Sequence, residues 1–276
     1  MLRADQLLYI YYLKGRLPRD AITPGSRYIG NWEDDGFSFL FFSEPSRDTV
    51  QKIVELHAQM VLIDEFRMSY AQWQDVVFTH LKTAGFLILR QREDCGINGV
   101  DGDGLIPILI DPGVVFGSGT HPTTRACLEA VALTVKQEVP RMTLDLGTGT
   151  GILSIAAALV GSKRSLAVDS NFLAVKTACG NIRLNGLEDR ILAVQGRAEN
   201  FIDTCADLLI ANIDYEVLHR LIGTEGFLRK RFFIVSGLLR SQAQDMVYRL
   251  ARLPVTILQK WEHDHIWHTI YGKLNR

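Results

Sequence analysis

The run Thr143-Leu144-Asp145-Leu146-Gly147-Thr148-Gly149-Thr150-Gly151 is followed by Asp169 at the end of the next apolar stretch. It reads as a buried strand, a glycine turn and the start of a helix. The acidic residue lies about 20 positions on, the spacing that brings a carboxylate to a ribose in nucleotide-binding α/β units. A helix N-terminus and the ends of parallel strands converge at such a turn, so an adenosine-containing cofactor is expected there.

The neighbouring residues bear on which cofactor. A dinucleotide site wants G-x-G-x-x-G, and Ile152 stands where the third glycine would be. Asp145, two residues before the first glycine, would repel a pyrophosphate but suits a ligand carrying an ammonium and a sulfonium. S-adenosylmethionine is such a ligand, and it is favoured over a nicotinamide dinucleotide. A glycine turn between strand and helix also occurs for purely structural reasons.

With 276 residues, the chain has room for one catalytic domain and a smaller one. A composition of 47% hydrophobic and 22% charged residues is that of a soluble globular protein. The net charge of −1 argues against strong non-specific binding of nucleic acid. The basic trio Arg229-Lys230-Arg231 is expected to be a solvated helix end ahead of a strand. Cys95, Cys127, Cys179 and Cys205 form no C-x-x-C pair, and Cys127 and Cys179 read as small buried hydrophobes. No signal-peptide pattern and no bilayer-length apolar run is present, so a cytoplasmic location is expected and no membrane contact.

From Met1 to about Arg92 the chain gives short aromatic-rich strands, Leu7–Leu13 and Phe37–Phe42 among them. A helix follows from about Arg47 to Met60, and a second from about Tyr70 to Lys82. The polar, glycine-rich residues 93–104 read as a linker. Asp101 and Asp103 within it do not make a calcium loop, because Leu105 and Pro112 stand where oxygen ligands are needed. Strands and helices alternate afterwards, with strands at Thr143–Leu146, Ser165–Val168, Ile191–Val194, Asp207–Ala211 and Arg231–Val235 and a closing hairpin, Val255–Trp261 with Ile266–Leu274. Gly186 is placed to end a helix in the left-handed conformation, which makes Asn181 and Asn185 structural. The expected class is α/β: a doubly wound class I methyltransferase sheet with a terminal antiparallel hairpin, over residues 105–276, plus a small N-terminal α+β domain over residues 1–92.

Three segments carry a resemblance. Asp111-Pro112-Gly113-Val114-Val115-Phe116-Gly117-Ser118-Gly119-Thr120-His121-Pro122-Thr123-Thr124 resembles the signature loop and helix start of the PrmA family. The glycine run with Asp169 is similar to that family's cofactor motif, and Ala211-Asn212-Ile213 to its asparagine loop. The resemblance implies S-adenosylmethionine as cofactor and methylation of amine nitrogens, on a lysine side chain or an N-terminus, of the large-subunit ribosomal protein L-eleven. It implies that Thr124 and Gly147 reach the methionine end of the cofactor and that Asp169 takes the ribose hydroxyls. Asn212 would lie against the methionine moiety and face the incoming amine.

The residues support these roles independently. Pro122-Thr123-Thr124 is a helix N-terminus able to hold a carboxylate. Phe116 could pack over the cofactor as part of a loop lid, and the Ala198 N–H follows the third strand where adenine would lie. Asn212 and a backbone carbonyl after it can accept N–H bonds from a neutral amine, with no dedicated base. His121 either lines the pocket or holds its turn by hydrogen bonding. His263 and His265 are read as the tip of the last hairpin rather than as metal ligands, and no metal is expected.

The N-terminal region departs from the family, whose first domain is ferredoxin-like with a helix between its first two strands. Lys14–Gly25, with Pro18 and Pro24, leaves no room for that helix, and Asp214-Tyr215 replace a run of small residues and proline. The rival readings are the same chemistry on another protein or a small amine, a non-catalytic S-adenosylmethionine-binding interaction protein, and a nicotinamide oxidoreductase.

Overall fold

The computed structural model describes residues 3, 5–18, 21–22, 27–34, 36–73, 80–90 and 104–275. The chain divides into two compact units. One comprises Met1–Val77 with Gly113–Val115 and Asn171–Leu173, the other Phe78–Pro112, Phe116–Ser170 and Ala174–Arg276.

The first unit holds strands β1 (Leu7–Lys14), β2 (Tyr28–Asp34), β3 (Phe37–Phe42) and β4 (Val61–Ser69), helix α1 (Arg47–Leu56) and the short α2 (Tyr70–Trp73). The sheet order is β2-β3-β1-β4, antiparallel throughout. Alternation along β1 sends Tyr11 and Leu13 to one face, where they pack with Leu40, Phe42 and the α1 residues Val50 and Ile53. On the opposite face Tyr12 stacks on Phe37 and Phe39, with ring centroids 5.2 and 4.7 Å apart.

The second unit begins with β5 (His80–Thr83), β6 (Phe86–Arg90) and β7 (Ile106–Ile110), a small sheet of their own. Its main elements are α3 (Pro122–Gln137), β8 (Met142–Leu146), α4 (Ile152–Leu159), β9 (Arg164–Asp169), α5 (Phe172–Leu184), β10 (Ile191–Gln195) and β11 (Leu208–Asn212). After these come α6 (Tyr215–Leu221), α7 (Glu225–Leu228), β12 (Phe232–Leu239), α8 (Arg240–Leu250), β13 (Val255–His263) and β14 (Trp267–Leu274). The seven-stranded sheet runs β10-β9-β8-β11-β12-β14-β13. Five strands are parallel, and the β13–β14 hairpin adds antiparallel to β12.

Each face of this sheet has its own core. Cys127, Leu128, Ile155, Ala156 and Ile182 from α3, α4 and α5 cover one, and Leu218, Phe227, Met246 and Leu250 from α6, α7 and α8 cover the other. Burial on both faces is why β8, β11 and β12 read as nearly continuous apolar runs. The order reverses between β8 and β11, the switch point at which open α/β sheets leave a crevice.

The expected strands, hairpin and Gly186 turn (φ +63°) are all present. Asn185 bonds the Leu109 N–H and carbonyl, and Asn181 bonds those of Asp111, so both asparagines tie α5 to β7 and its exit.

Four expectations are corrected. The helix expected to reach Lys82 gives way to strand at His80–Thr83, which pairs with β6 across a turn at Ala84 and Gly85 (φ +53° and +82°). Strands β5 and β6, expected within residues 1–92, group with the second unit. Cys179 is exposed, because α5 turns Ala178 and Ile182 inward. The trio Arg229-Lys230-Arg231 is not solvated as a patch: Lys230 is fully buried and donates to the carbonyls of Ile202 and Thr204, each at 2.6 Å. Arg229 pairs with Asp203 and Arg231 with Glu138. Apart from Gly104, the expected linker lies outside the described residues, as do Asp101 and Asp103.

Candidate functional site

The carboxyl ends of β8, β9, β10 and β11 bring Gly147, Asp169, the Gly196–Ala198 segment and Asn212 to one edge of the main sheet. The glycine turn is built by hydrogen bonds that only this backbone allows. Gly147 and Thr148 N–H groups both donate to the Val168 carbonyl, at 2.8 and 3.0 Å, and Gly149 N–H donates to Asp169 Oδ2 at 3.0 Å. Gly147 has φ +73°, and a Cβ there would lie 2.0 Å from Ile213 Cγ2, so the turn passes directly under the asparagine loop.

Asp145 lies beneath this turn, fully buried. Its Oδ2 accepts from Thr148 Oγ1 at 2.6 Å and Ser154 Oγ at 2.8 Å, while Oδ1 has no hydrogen-bond partner. Burial pushes its carboxyl up to about 6, against those two hydroxyl bonds. Thr148 and Ser154, whose hydroxyls hold it, escaped the reading of the sequence. Their signal was a hydroxyl three residues after the aspartate and another on the first turn of α4.

The Phe116–Gly117 loop is strapped to the same turn. Thr150 N–H donates to the Phe116 carbonyl at 3.1 Å and Thr150 Oγ1 to the Gly117 carbonyl at 2.6 Å. Phe116 is 47% exposed, and its ring meets the His121 ring edge-on at 5.1 Å. His121 in turn meets Trp267 at the start of β14, at 5.0 Å.

His121 caps α3, with Pro122 as the first helical residue. The turn-holding alternative is the one the structure shows, and the ring also meets Phe116 and Trp267. Burial, and then the nearby Arg125 and His263, hold its imidazole below the ordinary histidine value. Thr124 Oγ1 is buried without a hydrogen-bond partner, whereas Thr123 Oγ1 accepts from Asn212 Nδ2 at 3.2 Å. Thr123, not singled out in the sequence, is thus the threonine that joins α3 to the end of β11.

Two oxygens border Gly237 at the other end of the asparagine loop. A Cβ on Gly237 (φ +82°) would lie 3.1 Å from both Asn212 Oδ1 and Ile213 O. Asp214, which follows, caps α6 by accepting from Glu216 and Val217 N–H at 2.8 and 3.3 Å. Ala198 opens a single 3-10 turn after β10, beside β9, where Gly196 N–H donates to the Asp169 carbonyl at 2.8 Å. The hairpin histidines pair locally, His263 with Asp264 and His265 with Glu262.

Comparison with known proteins gives a consistent picture. The curated ribosomal protein L11 methyltransferase of Anoxybacillus flavithermus is 39% identical over 165 residues, covering 57% of this chain and 50% of that protein. Its counterpart in Heliobacterium modesticaldum is 38% identical over 168 residues, covering 60% and 52%. The chain spans about half the length of these curated relatives. A crystal structure of ribosomal protein L11 methylase from Lactobacillus delbrueckii subsp. bulgaricus superposes with a TM-score of 0.61 at 27% identity, covering 72% of this chain and all of that one. The family model described as "Ribosomal protein L11 methyltransferase (PrmA)" matches residues 72–275, and the chain belongs to that family.

Proposed function

We propose that this chain is an S-adenosylmethionine-dependent protein methyltransferase acting on amine nitrogens, lysine side chains or an N-terminus, of a large-subunit ribosomal protein of the L11 type. The observation that carries the reading is the pair of acceptors, Asn212 Oδ1 and Ile213 O, beside a glycine turn that has a buried carboxylate under it. Both are placed at the switch point of the sheet.

The donor set suits the cofactor. Asp145 Oδ1 and Thr124 Oγ1 are buried polar atoms without partners, a state that costs roughly 1–3 kcal/mol for each. The cofactor's ammonium and carboxylate would relieve both. In this reading Asp169 takes the ribose hydroxyls, Gly147 leaves room for the methionine end, and the Ala198 N–H borders the adenine. Phe116 covers the site from the loop.

S-adenosylmethionine brings a methyl group already activated on a sulfonium. The protein's part is to deliver a neutral amine in line with it and exclude water. A free lysine has a pKa of about 10.4, so one proton must leave before transfer, and desolvation beside Phe116 and Trp267 favours the neutral form. Asn212 Oδ1 and Ile213 O then accept the two remaining N–H bonds and aim the lone pair.

Labelled S-adenosylmethionine added to the protein with ribosomal proteins stripped from large subunits tests this. Label on L11 is the expected result. The family match begins at residue 72, so most of the first unit lies outside it. That favours, as a second reading, the same chemistry on a different protein, which label appearing only elsewhere would select. Absence of both binding and transfer would end both. A cytoplasmic site of action accompanies the reading, and among the described residues no helix is long and apolar enough to cross a membrane.

A further inference from the structure

His121 Nδ1 lies 2.7 Å from Thr123 Oγ1, and Thr123 Oγ1 lies 3.2 Å from Asn212 Nδ2. The direction of every bond in this chain follows from one fixed donor. The Thr123 backbone N–H points at the same Nδ1, at 3.3 Å, and a backbone N–H can only donate. Nδ1 must therefore be an unprotonated acceptor, with the ring proton on Nε2. The Thr123 hydroxyl then gives its proton to Nδ1 and presents a lone pair to its other neighbour. Only the Nδ2 side of the Asn212 amide satisfies that lone pair, so Oδ1 is turned away from Thr123.

We propose that His121 is a positioning residue for methyl transfer: through Thr123 it locks the Asn212 side-chain amide in the one flip that offers Oδ1, rather than Nδ2, to the acceptor amine. This rests on the proposed function above. It gives the signature histidine a task distinct from holding the donor. An amide is nearly symmetric in shape, so packing alone distinguishes its two flips poorly. With Nδ2 in place of Oδ1, a donor would face the N–H groups of the amine, and the lone pair would be drawn away from the methyl group.

Protonation of the imidazole would undo the lock. A proton on Nδ1 opposes the Thr123 N–H and deprives the hydroxyl of its acceptor, and turning over the Asn212 amide supplies a new one. The charged groups around the ring act on this. Arg125, one turn along α3, and His263 on β13 both disfavour a cationic His121, as does burial beside Phe116 and Trp267. Asp264, paired with His263 at 3.2 Å, works the other way by screening that neighbour. The net direction keeps the ring neutral at the pH of a cell.

Four variants test the relay at saturating cofactor. Thr123→Val and His121→Ala should each lower kcat about tenfold, the factor that 1.4 kcal/mol makes, with the affinity for S-adenosylhomocysteine unchanged. The double variant should be no slower than either single one, because both break the same chain. His121→Asn keeps a side-chain acceptor at the cap, so it should retain kcat near pH 8, and its kcat relative to wild type should rise as the pH falls. A Thr123→Val enzyme with full kcat, or multiplying losses in the double variant, would overturn the proposal.

Nitrogen NMR on the ligand-free protein separates this from the methyltransferase reading. The Asn212 side-chain amide signals should follow the His121 titration in the wild type and ignore it in Thr123→Val. Amide signals indifferent to His121 in the wild type would sink the relay even if methyl transfer is found. A tracked titration in a protein that transfers nothing would sustain the relay and count against the reaction alone.

Discussion

The Gly149 N–H donates to Asp169 Oδ2 at 3.0 Å, which makes the glycine turn after β8 and the acidic tip of β9 one hydrogen-bonded piece. The carboxylate thus has two duties in the proposed reading, shaping the turn and receiving the ribose. Asp169→Ala removes both. It should weaken binding of S-adenosylhomocysteine on the order of 100-fold, as expected for two charge-assisted bonds at roughly 1.5 kcal/mol each. Asp169→Asn, which keeps an acceptor for Gly149, should lose only about tenfold by the same reckoning. Titration calorimetry reads both values, and unchanged affinity in the alanine variant would remove Asp169 from the site.

Gly147 tolerates no side chain. Its φ of +73° and the 2.0 Å approach of Ile213 Cγ2 to a would-be Cβ act together. Gly147→Ala should cost about 1–2 kcal/mol for the left-handed backbone and about 1–3 kcal/mol for overpacking. A fall of roughly 5–15 °C in Tm corresponds to that for a unit of this size. Adding Ile213→Ala should recover part of the loss, so that the double variant is more stable than the sum of the single losses predicts. Strict additivity in thermal melts would mean the clash is relieved elsewhere.

Much of the second unit was legible because its signals are local. Glycines at a strand tip, an aspartate one strand later and an asparagine at a strand end each announce themselves without knowledge of what packs against them. The first unit was harder. Strand β4 is an edge strand whose residues are mostly exposed, so Val61–Ser69 lacks the alternation that marks a half-buried strand. The turn before β6 uses Ala84 where hairpins favour asparagine or aspartate, and the aromatic residues ahead of it invited a helical reading.

Lys230 shows a different limit. Three consecutive basic residues look like a solvated helix end, yet the middle one spends its ammonium on two carbonyls of the Ile202–Thr204 turn. Those partners are more than twenty residues away and carry no side-chain signature. The contact between Thr123 and Asn212 was illegible for the same reason. Which of two adjacent threonines meets Asn212 depends on the rotation of α3, set by its packing against α4, β12 and β14 rather than by the motif.

Asp145 predicts a pH dependence with a definite sign. Burial raises its folded-state value to about 6, above the value in an unfolded chain. The native state therefore holds this proton more tightly than the unfolded state does. The resulting stability is fully present below about pH 4 and is lost as the pH rises through about 6, a change of about 3 kcal/mol at most. Asp145→Asn should make the ligand-free protein about 1–3 kcal/mol more stable at pH 8, little different at pH 4, and weaker in cofactor binding. Calorimetric melts across that range check the sign, and an asparagine variant that is less stable at pH 8 would contradict it. Cofactor binding near pH 6 should also release a proton, visible as a dependence of the binding heat on the buffer.

Asn212 separates binding from chemistry. Its Nδ2 is engaged by Thr123 and its Oδ1 borders Gly237, so truncation to alanine empties half of the proposed amine cradle while leaving Asp145, Gly147 and Asp169 untouched. The interaction lost is one that strengthens as the amine nitrogen is aligned, and losses of that kind fall on kcat rather than on cofactor affinity. Asn212→Ala should bind S-adenosylhomocysteine within about twofold of wild type and transfer methyl groups roughly 100- to 1,000-fold more slowly, the range seen for removal of one preorganised polar group. Asn212→Asp offers an acceptor on both sides, so it must hold a proton on one oxygen to satisfy Thr123, and its transfer rate should fall as rising pH removes that proton. Single-turnover transfer of label, measured at several pH values in all three proteins, distinguishes these outcomes. An alanine variant with undiminished transfer would show that the Ile213 carbonyl orients the amine without help, and Asn212 would then be a turn former at the end of β11.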